Sequence, residues 1–170
     1  MPKTHIIRRI QCSPEALFDL VADVENYPKF INLISALRIT KKLSETEFEA
    51  EAVVAYKMIS ETFRSHITVD RDALNIIVSK AEKGGAVKSL VNNWSFHALG
   101  DGSSLVDVVV DVKLKAMPLE FLLRDKFDRA STNIINAFEA RARQKLPKVG
   151  EDEYDCRDEV ESLGLKGRFV

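Results

Sequence analysis

From about Leu37 to Lys115 apolar and polar residues alternate, and at Pro118 the period changes to that of one long amphipathic helix. A period of two marks strands with one buried face. Val106, Val108, Val110, Val112 and Leu114 fall on one side, and Asp107, Asp111, Lys113 and Lys115 on the other. The stretch predicts an antiparallel sheet. A sheet of that extent with a single helix to cover it must curl around the helix, and such wrapping tends to leave a space between the two. The expectation is an α+β container for an apolar small molecule.

The rest of the chain can be divided on turn and cap signals. Residues 3–12 read as a first strand, and Ser13-Pro14-Glu15 supplies a helix start, with Ser13 as N-cap and Pro14 at the first helical position. Leu17, Phe18, Leu20 and Val21 form the apolar stripe of that helix. Asn26-Tyr27-Pro28 interrupts it, because the residue before a proline is pushed out of the α region. A second short helix is expected through Phe30 to Ile34. Strands follow at 36–43, 46–57, 59–71, 74–81, 87–99 and 103–116. They are broken at Ser44-Glu45, near Met58, at Asp72-Ala73, at Gly84-Gly85 and at Gly100-Asp101-Gly102, the last two being the clearest hairpin signals. From Pro118 to Leu146, Leu119, Leu123, Phe127, Ala130, Ile134, Phe138 and Ala142 keep helical spacing over roughly 40 Å. Residues 1–146 therefore read as one domain of about seven strands. Residues 147–170, with Glu151-Asp152-Glu153, Asp155, Asp158, Glu159 and Glu161, read as a solvated, disordered acidic tail.

Strand parity outlines the interior. Phe48, Ala50, Ala52, Val54 and Tyr56 share a face opposite Glu47, Glu49 and Glu51, so the first set looks inward. The next strands offer Phe63, Ile67 and Val69, then Leu74, Ile76 and Val78, then Leu90, Trp94 and Phe96. Val108 and Val110 continue the wall, and Leu123, Phe127 and Ile134 face it from the helix. Ala50 and Ala52 are expected to leave volume where larger side chains would fill it. Taken singly, each of these residues is explained by packing on the helix. As a set they outline a cavity.

Several function classes are disfavoured. A net charge of -1 among 170 residues gives no bulk basic footprint, so no DNA partner is expected. Cys12 and Cys156 are far apart in sequence and do not suggest a disulfide framework, which fits a reducing compartment. There is no apolar run of membrane-spanning length and no signal-peptide core, and the folded pattern starts at Ile6, Ile7 and Ile10. These features favour a bacterial cytoplasmic protein. His5, His66 and His97 lie on different strands as surface histidines without metal-ligand spacing, so no metal is expected. Both glycine-rich breaks are hairpin turns rather than phosphate loops. Asp23 and Glu25 are explained by helix-end and turn chemistry, and the remaining charges mostly take the outer parity, so no catalytic residue and no enzyme are expected.

The order strand, two short helices, six strands, long helix is the helix-grip arrangement. The run Ser13-Pro14-Glu15-Ala16-Leu17-Phe18-Asp19-Leu20-Val21-Ala22-Asp23-Val24-Glu25-Asn26-Tyr27-Pro28-Lys29-Phe30 joins an apolar helix to an Asp-Val-Glu-x-Tyr-Pro turn and an aromatic. A second run, Leu90-Val91-Asn92-Asn93-Trp94-Ser95-Phe96, has the form Leu-x-Asn-x-Trp-x-Phe. In both, over roughly residues 3–146, the chain resembles the coenzyme Q-binding protein family of the START-like, polyketide-cyclase-like superfamily. It departs at Ile31-Asn32-Leu33-Ile34-Ser35, where many relatives carry Pro-Trp-Cys. The resemblance implies a helix-grip fold and a bound polyprenyl quinone, ubiquinone, held as ligand rather than cofactor. The role it implies is a lipid carrier or chaperone supporting respiratory electron transport or quinone biosynthesis. Asn92, Trp94 or Tyr56 would then donate to the quinone carbonyls, and Tyr27 and Phe30 would stand at the mouth, either as a gate or as a hydrophobic plug. Loops from Tyr27 to Ile34 would touch a membrane surface, placing the protein peripherally at the bacterial inner membrane. Other bacterial relatives are ribosome-association toxins. For that alternative partner, Lys41, Lys42 and Lys57 offer a small basic patch, which a solvated strand face also explains.

Overall fold

The computed structural model describes residues 3–56, 59–81, 87–114 and 117–170, with side chains described for all of these except 56, 59, 61, 87, 114 and 117–127. Strand β1 (Lys3–Ile10) leads into helix α1 (Pro14–Ala22) and a 3-10 helix (Val24–Lys29). Strands β2 (Ile34–Lys42), β3 (Glu47–Tyr56), β4 (Ile59–Asp70), β5 (Asn75–Lys80), β6 (Val87–Ala98) and β7 (Ser104–Leu114) follow, and then the long helix α2 (Met117–Lys145). A short helix α3 (Arg157–Ser162) and a two-residue strand β8 (Arg168–Phe169) end the described chain. The turn expected at Gly84-Gly85, the break near Met58 and the expected patch residue Lys57 lie outside the described residues.

Helix α1 begins where its cap chemistry dictates. The Ser13 hydroxyl accepts the Ala16 N–H at 3.3 Å and Pro14 takes the first turn, a cap that contributes about 1 kcal/mol. Its apolar face, Leu17, Phe18 and Val21, is buried. The expected interruption at Asn26-Tyr27-Pro28 and second helix from Phe30 to Ile34 are corrected here: Pro28 lies inside the 3-10 helix, which ends at Lys29. Two bonds fold the chain over at this corner, the Phe30 and Ile31 N–H groups both bonding to the Tyr27 carbonyl, at 3.1 and 2.8 Å. Asp23 and Glu25 have local partners, Asp23 accepting from the Asn26 amide and Glu25 from the Ile39 N–H of β2.

The sheet is large, curved and unclosed, in the order β2-β3-β4-β5-β6-β7-β1-β8. All neighbours are antiparallel except β8, which runs parallel to β1. The α1 and 3-10 segment carries the chain from β1, near one edge, to β2 at the other. In register, Trp94 faces Ile76 and Val108, and Asn92 faces Val78 and Val110, so the alternation read from sequence becomes one apolar concave face. Helix α2 lies on that face and buries Ile135, Phe138 and Ala142. An aromatic cluster fills one end of the interior. Phe138 meets Tyr27, Phe30 and Trp94 edge-on at 5.1, 5.2 and 5.0 Å, and Trp94 stacks on Phe96.

The segment 147–170 is ordered, contrary to the disordered tail expected from its acidity. Tyr154, Cys156, Val160 and Leu165 close a second small core with Ile7, Leu99 and Leu105 on the outer face of the sheet. The acids have partners of their own. Asp101, in the β6–β7 turn, accepts from Arg9 at 2.5 Å and from the Glu151 N–H at 3.0 Å, and Tyr154 donates to Glu159 at 2.5 Å. Gly102 holds that turn with φ of 86°, a conformation that favours glycine. Gly167 lets β8 approach β1 so closely that a Cβ would stand 2.6 Å from Cγ1 of Ile7. Cys12 and Cys156 are both buried and unpaired, and burial pushes both thiols up.

Candidate functional site

Among the described residues, two recesses lie against α2, one over the concave face and one beside the Phe30–Leu33 corner. The inner cavity measures about 290 Å³. Its floor is Leu90, Asn92 and Trp94 of β6 and Val108, Val110 and Val112 of β7, with Ile6 of β1 beside them. Val54 of β3 and Phe63 of β4 form one wall, Ala130, Ser131, Ile134 and Ile135 of α2 form the roof, and Lys80 stands at the end of β5. The second recess is an open groove of about 700 Å³ walled by Phe30, Ile31, Asn32, Leu33 and Ala55, with Arg129, Asn133, Asn136 and Ala137 along α2. Leu33, Ala130 and Ile134 belong to both walls, so these three side chains are the partition between groove and cavity.

Asn92 is the polar feature of the floor. Among the described residues its carboxamide oxygen is buried without a hydrogen-bond partner, and its cross-strand neighbours Val78 and Val110 have no side-chain donor to offer. A buried acceptor left unpaired costs about 1–3 kcal/mol. Apart from Ser131, Lys80 and the indole N–H of Trp94 the rest of the wall is hydrocarbon, and among its described residues there is no carboxylate, imidazole or thiol.

Of the residues expected from strand parity and resemblance to contact a ligand, Val54, Phe63, Asn92, Trp94, Val108, Val110 and Ile134 are brought together around the inner cavity. Phe30 lines the groove, with the Arg141 guanidinium 5.3 Å from its ring centre. The others lie elsewhere. Ala50, Ile67, Ile76 and Phe96 are buried in the main core, Tyr27 and Phe48 pack against it, and Ala52 is buried between Leu37 and Phe63 in register. The reason is that Ala50 shares the main core with Phe18, Trp94, Phe96 and Phe138, and Ala52 is flanked in register by Leu37 and Phe63, so on β3 the vacancy begins only at Val54. Tyr27 is fixed as a plug: its hydroxyl donates to the Val21 carbonyl, and burial, with Asp23 adding to it, pushes the phenol far above its ordinary range. The side chains of Tyr56, Leu123 and Phe127 lie outside the described residues.

Sequence reasoning passed over Leu33, Ile34, Lys80 and Ser131. Lys80 continues the inward parity of Ile76 and Val78, which is the signal that could have placed it there. Leu33 and Ile34 fell where a helix was expected. Of the histidines, His5 pairs with Asp107 and His66 lies 3.9 Å from Glu47, while His97 is half-buried with its Nε2 unpartnered among the described residues, not a plain surface residue. Among the described residues no three of His, Cys, Asp and Glu are grouped so as to hold a metal ion, and no helix is long and apolar enough to cross a membrane.

A curved, unclosed sheet gripping one long helix, with a hydrocarbon-walled cavity between them, defines the helix-grip class of proteins. The chain belongs to the polyketide cyclase / dehydrase and lipid transport family, whose sequence profile matches residues 10–139. Its fold is shared with the Zhui aromatase/cyclase of a Streptomyces species, at a TM-score of 0.76 and 15% identity over 84% of this chain and 94% of that one. In sequence it is 30% identical over 135 residues to the ribosome association toxin RatA of Rickettsia prowazekii, covering 78% of this chain and 90% of that protein. It is 24% identical over 158 residues to the mitochondrial coenzyme Q-binding protein coq10 of Schizosaccharomyces pombe, covering 86% of this chain and 96% of that protein. The family spans cyclases and lipid-transport proteins, so holding and converting a hydrophobic ligand are both within its range.

Proposed function

We propose that the chain is a non-enzymatic carrier of a polyprenyl quinone of the ubiquinone type, serving respiratory electron transport or quinone biosynthesis. The observation that carries this is the inner cavity: largely hydrocarbon walls that would shed water readily, with the Asn92 carboxamide among them, whose N–H groups can donate to a quinone oxygen and whose unpartnered oxygen can accept from a quinol hydroxyl. Burial of apolar carbon contributes about 0.8 kcal/mol per methylene-sized group before ordering costs, so a ring and its first isoprenoid carbons suffice for useful affinity. A cavity of about 290 Å³ does not enclose a long tail, and the adjoining groove of about 700 Å³ gives the remainder a way out past Leu33 and Ile134. Similarity to a coenzyme Q-binding protein supports the ligand class. A wall without a carboxylate, imidazole or thiol among its described residues favours holding over conversion. The groove mouth at Phe30–Leu33 is the face turned to a membrane, with the protein working from the bacterial cytoplasm against the inner membrane.

Organic extraction and mass spectrometry of protein purified from a quinone-producing host should recover a prenylquinone in a substantial fraction of molecules. Protein that is repeatedly empty and also refuses added quinone would sink the proposal.

The similarity to RatA supports a second reading, ribosome association through the exterior. Arg38, Lys41 and Lys42 are exposed on the edge strand β2, although Arg38 is 3.5 Å from Glu51. Sedimentation of ribosomal subunits with the protein separates the two: a salt-sensitive association with one subunit and lost subunit joining promote the second reading.

A further inference from the structure

We propose that Asn92 is the residue that reads the ligand's oxygen, and that its carboxamide lets the carrier hold quinone and quinol alike. The inference rests on the quinone-carrier reading and deepens it. A quinone oxygen is an acceptor only, whereas a quinol hydroxyl is also a donor. A carboxamide presents an acceptor on one side and a donor on the other, and half a turn about its last side-chain bond exchanges them. Here the oxygen is buried with no partner among the described residues, so no bond shown from that oxygen commits the amide to either orientation. The strand positions that flank it, Leu90 and Trp94 along β6, Val78 on β5 and Val110 on β7, carry no carboxamide, hydroxyl or charge, and the polar groups elsewhere in the lining, Ser131 and Lys80, stand on α2 and at the end of β5. An amide in such a wall serves no packing need that a leucine or valine would not serve better. Its use is therefore toward something that enters the cavity. No electron passes to or from the protein in this step: only the hydrogen-bond partner of one ring oxygen changes, and the protein accepts the ligand in the redox state it arrives in.

The chain has a built-in reporter, because Trp94 is its single tryptophan and stands in the same floor. Titrations of full-length protein with a short-tailed benzoquinone are followed by quenching of that fluorophore. The dithionite-reduced quinol and an alkylbenzene with the same tail are then measured by displacement. Wild type should bind quinone and quinol within about threefold of each other, and both more tightly than the alkylbenzene. Asn92→Leu should lose about three- to tenfold for quinone and quinol together, the worth of one hydrogen bond, keep its alkylbenzene affinity within about twofold, and melt no lower than wild type. Asn92→Val, which matches its neighbours in β5 and β7, repeats the measurement should leucine crowd the floor.

An unchanged quinone affinity in both variants, or an equal loss for the alkylbenzene, overturns the role of Asn92 while leaving the carrier reading intact. A preference of wild type for one redox form by thirtyfold or more overturns the indifference to redox state. A wild-type protein that takes up none of the three probes overturns the carrier reading itself, and this inference with it.

Discussion

At the scale of single residues, the contrast between two alanines separates what a strand pattern can tell from what packing decides. Ala52 has the inward parity that sequence reasoning assigned to it, yet it is buried between Leu37 and Phe63 and is absent from both cavity walls. Ala130 has an unremarkable place on a helical stripe, yet it belongs to the partition between groove and cavity. Parity assigns a face; it does not say which stretch of that face is covered by other side chains. Enlarging the two should therefore do opposite things. Ala130→Phe is expected to plug the passage and cut quinone uptake at least about tenfold with a normal melting curve. Ala52→Phe is expected to cost about 1–3 kcal/mol of stability through overpacking and to change uptake little. Chemical denaturation and the Trp94 titration, run on both variants, check the pair. Uptake lost in Ala52→Phe alone would relocate the ligand to the stretch of the concave face around Ala52, between Leu37 and Phe63.

At the scale of elements, the strands and the long helix were legible because each obeys one period over many residues. The expected strand at 87–99 is observed at Val87–Ala98, and the expected helix at 118–146 at Met117–Lys145. The C-terminal segment was not legible, for a physical reason. Tyr154, Cys156, Val160 and Leu165 are spaced too irregularly for any period and sit among acids, so only the complementary apolar patch of Ile7, Leu99 and Leu105 on the back of the sheet reveals what they are for. Two predictions belong here. Gly167→Ala drives a methyl group against the buried Ile7, and should loosen the segment at a cost of about 1–3 kcal/mol, seen as faster limited proteolysis beyond Pro147. No change in cleavage would show that β8 yields without strain.

The second concerns acid. Burial alone would raise the Asp101 carboxyl, but hydrogen bonds from Ser103, from the Glu151 main chain and from Arg9 outweigh it and hold the group well below the carboxylate range. A folded value below the unfolded one means that the folded state binds fewer protons. The contribution is then complete above the unfolded value, about 3.9, and is lost as pH falls below it toward the folded value. Asp101→Asn should be less stable than wild type near neutrality and should lose less further stability on acidification below about pH 4. Denaturant midpoints measured across that range decide it, and parallel curves for the two proteins would remove Asp101 from the account.

For the whole molecule, the fold was readable because sheet and helix must satisfy each other, while the site was readable only in part because it is what their packing leaves over. Seven of the residues expected at the ligand meet around one cavity. The space they enclose is small, and its larger neighbour is open to the outside. This division makes a prediction about ligand length. The ring and first isoprenoid carbons gain the full benefit of burial in the inner cavity, the next units gain less along a groove whose walls include Asn32, Arg129, Asn133 and Asn136, and units beyond it gain nothing from the protein. Affinity should therefore rise over the first few isoprene units and then level, so that quinones of short and of full natural tail length bind alike when both are presented in detergent micelles. Competition among a series of tail lengths against one fluorescent probe measures the curve. A rise that continues through the longest tails would mean that the chain is swallowed whole, in an interior far larger than these two recesses. A curve flat from the first unit would place the tail outside from the start, leaving the ring alone in contact with the floor around Asn92 and Trp94.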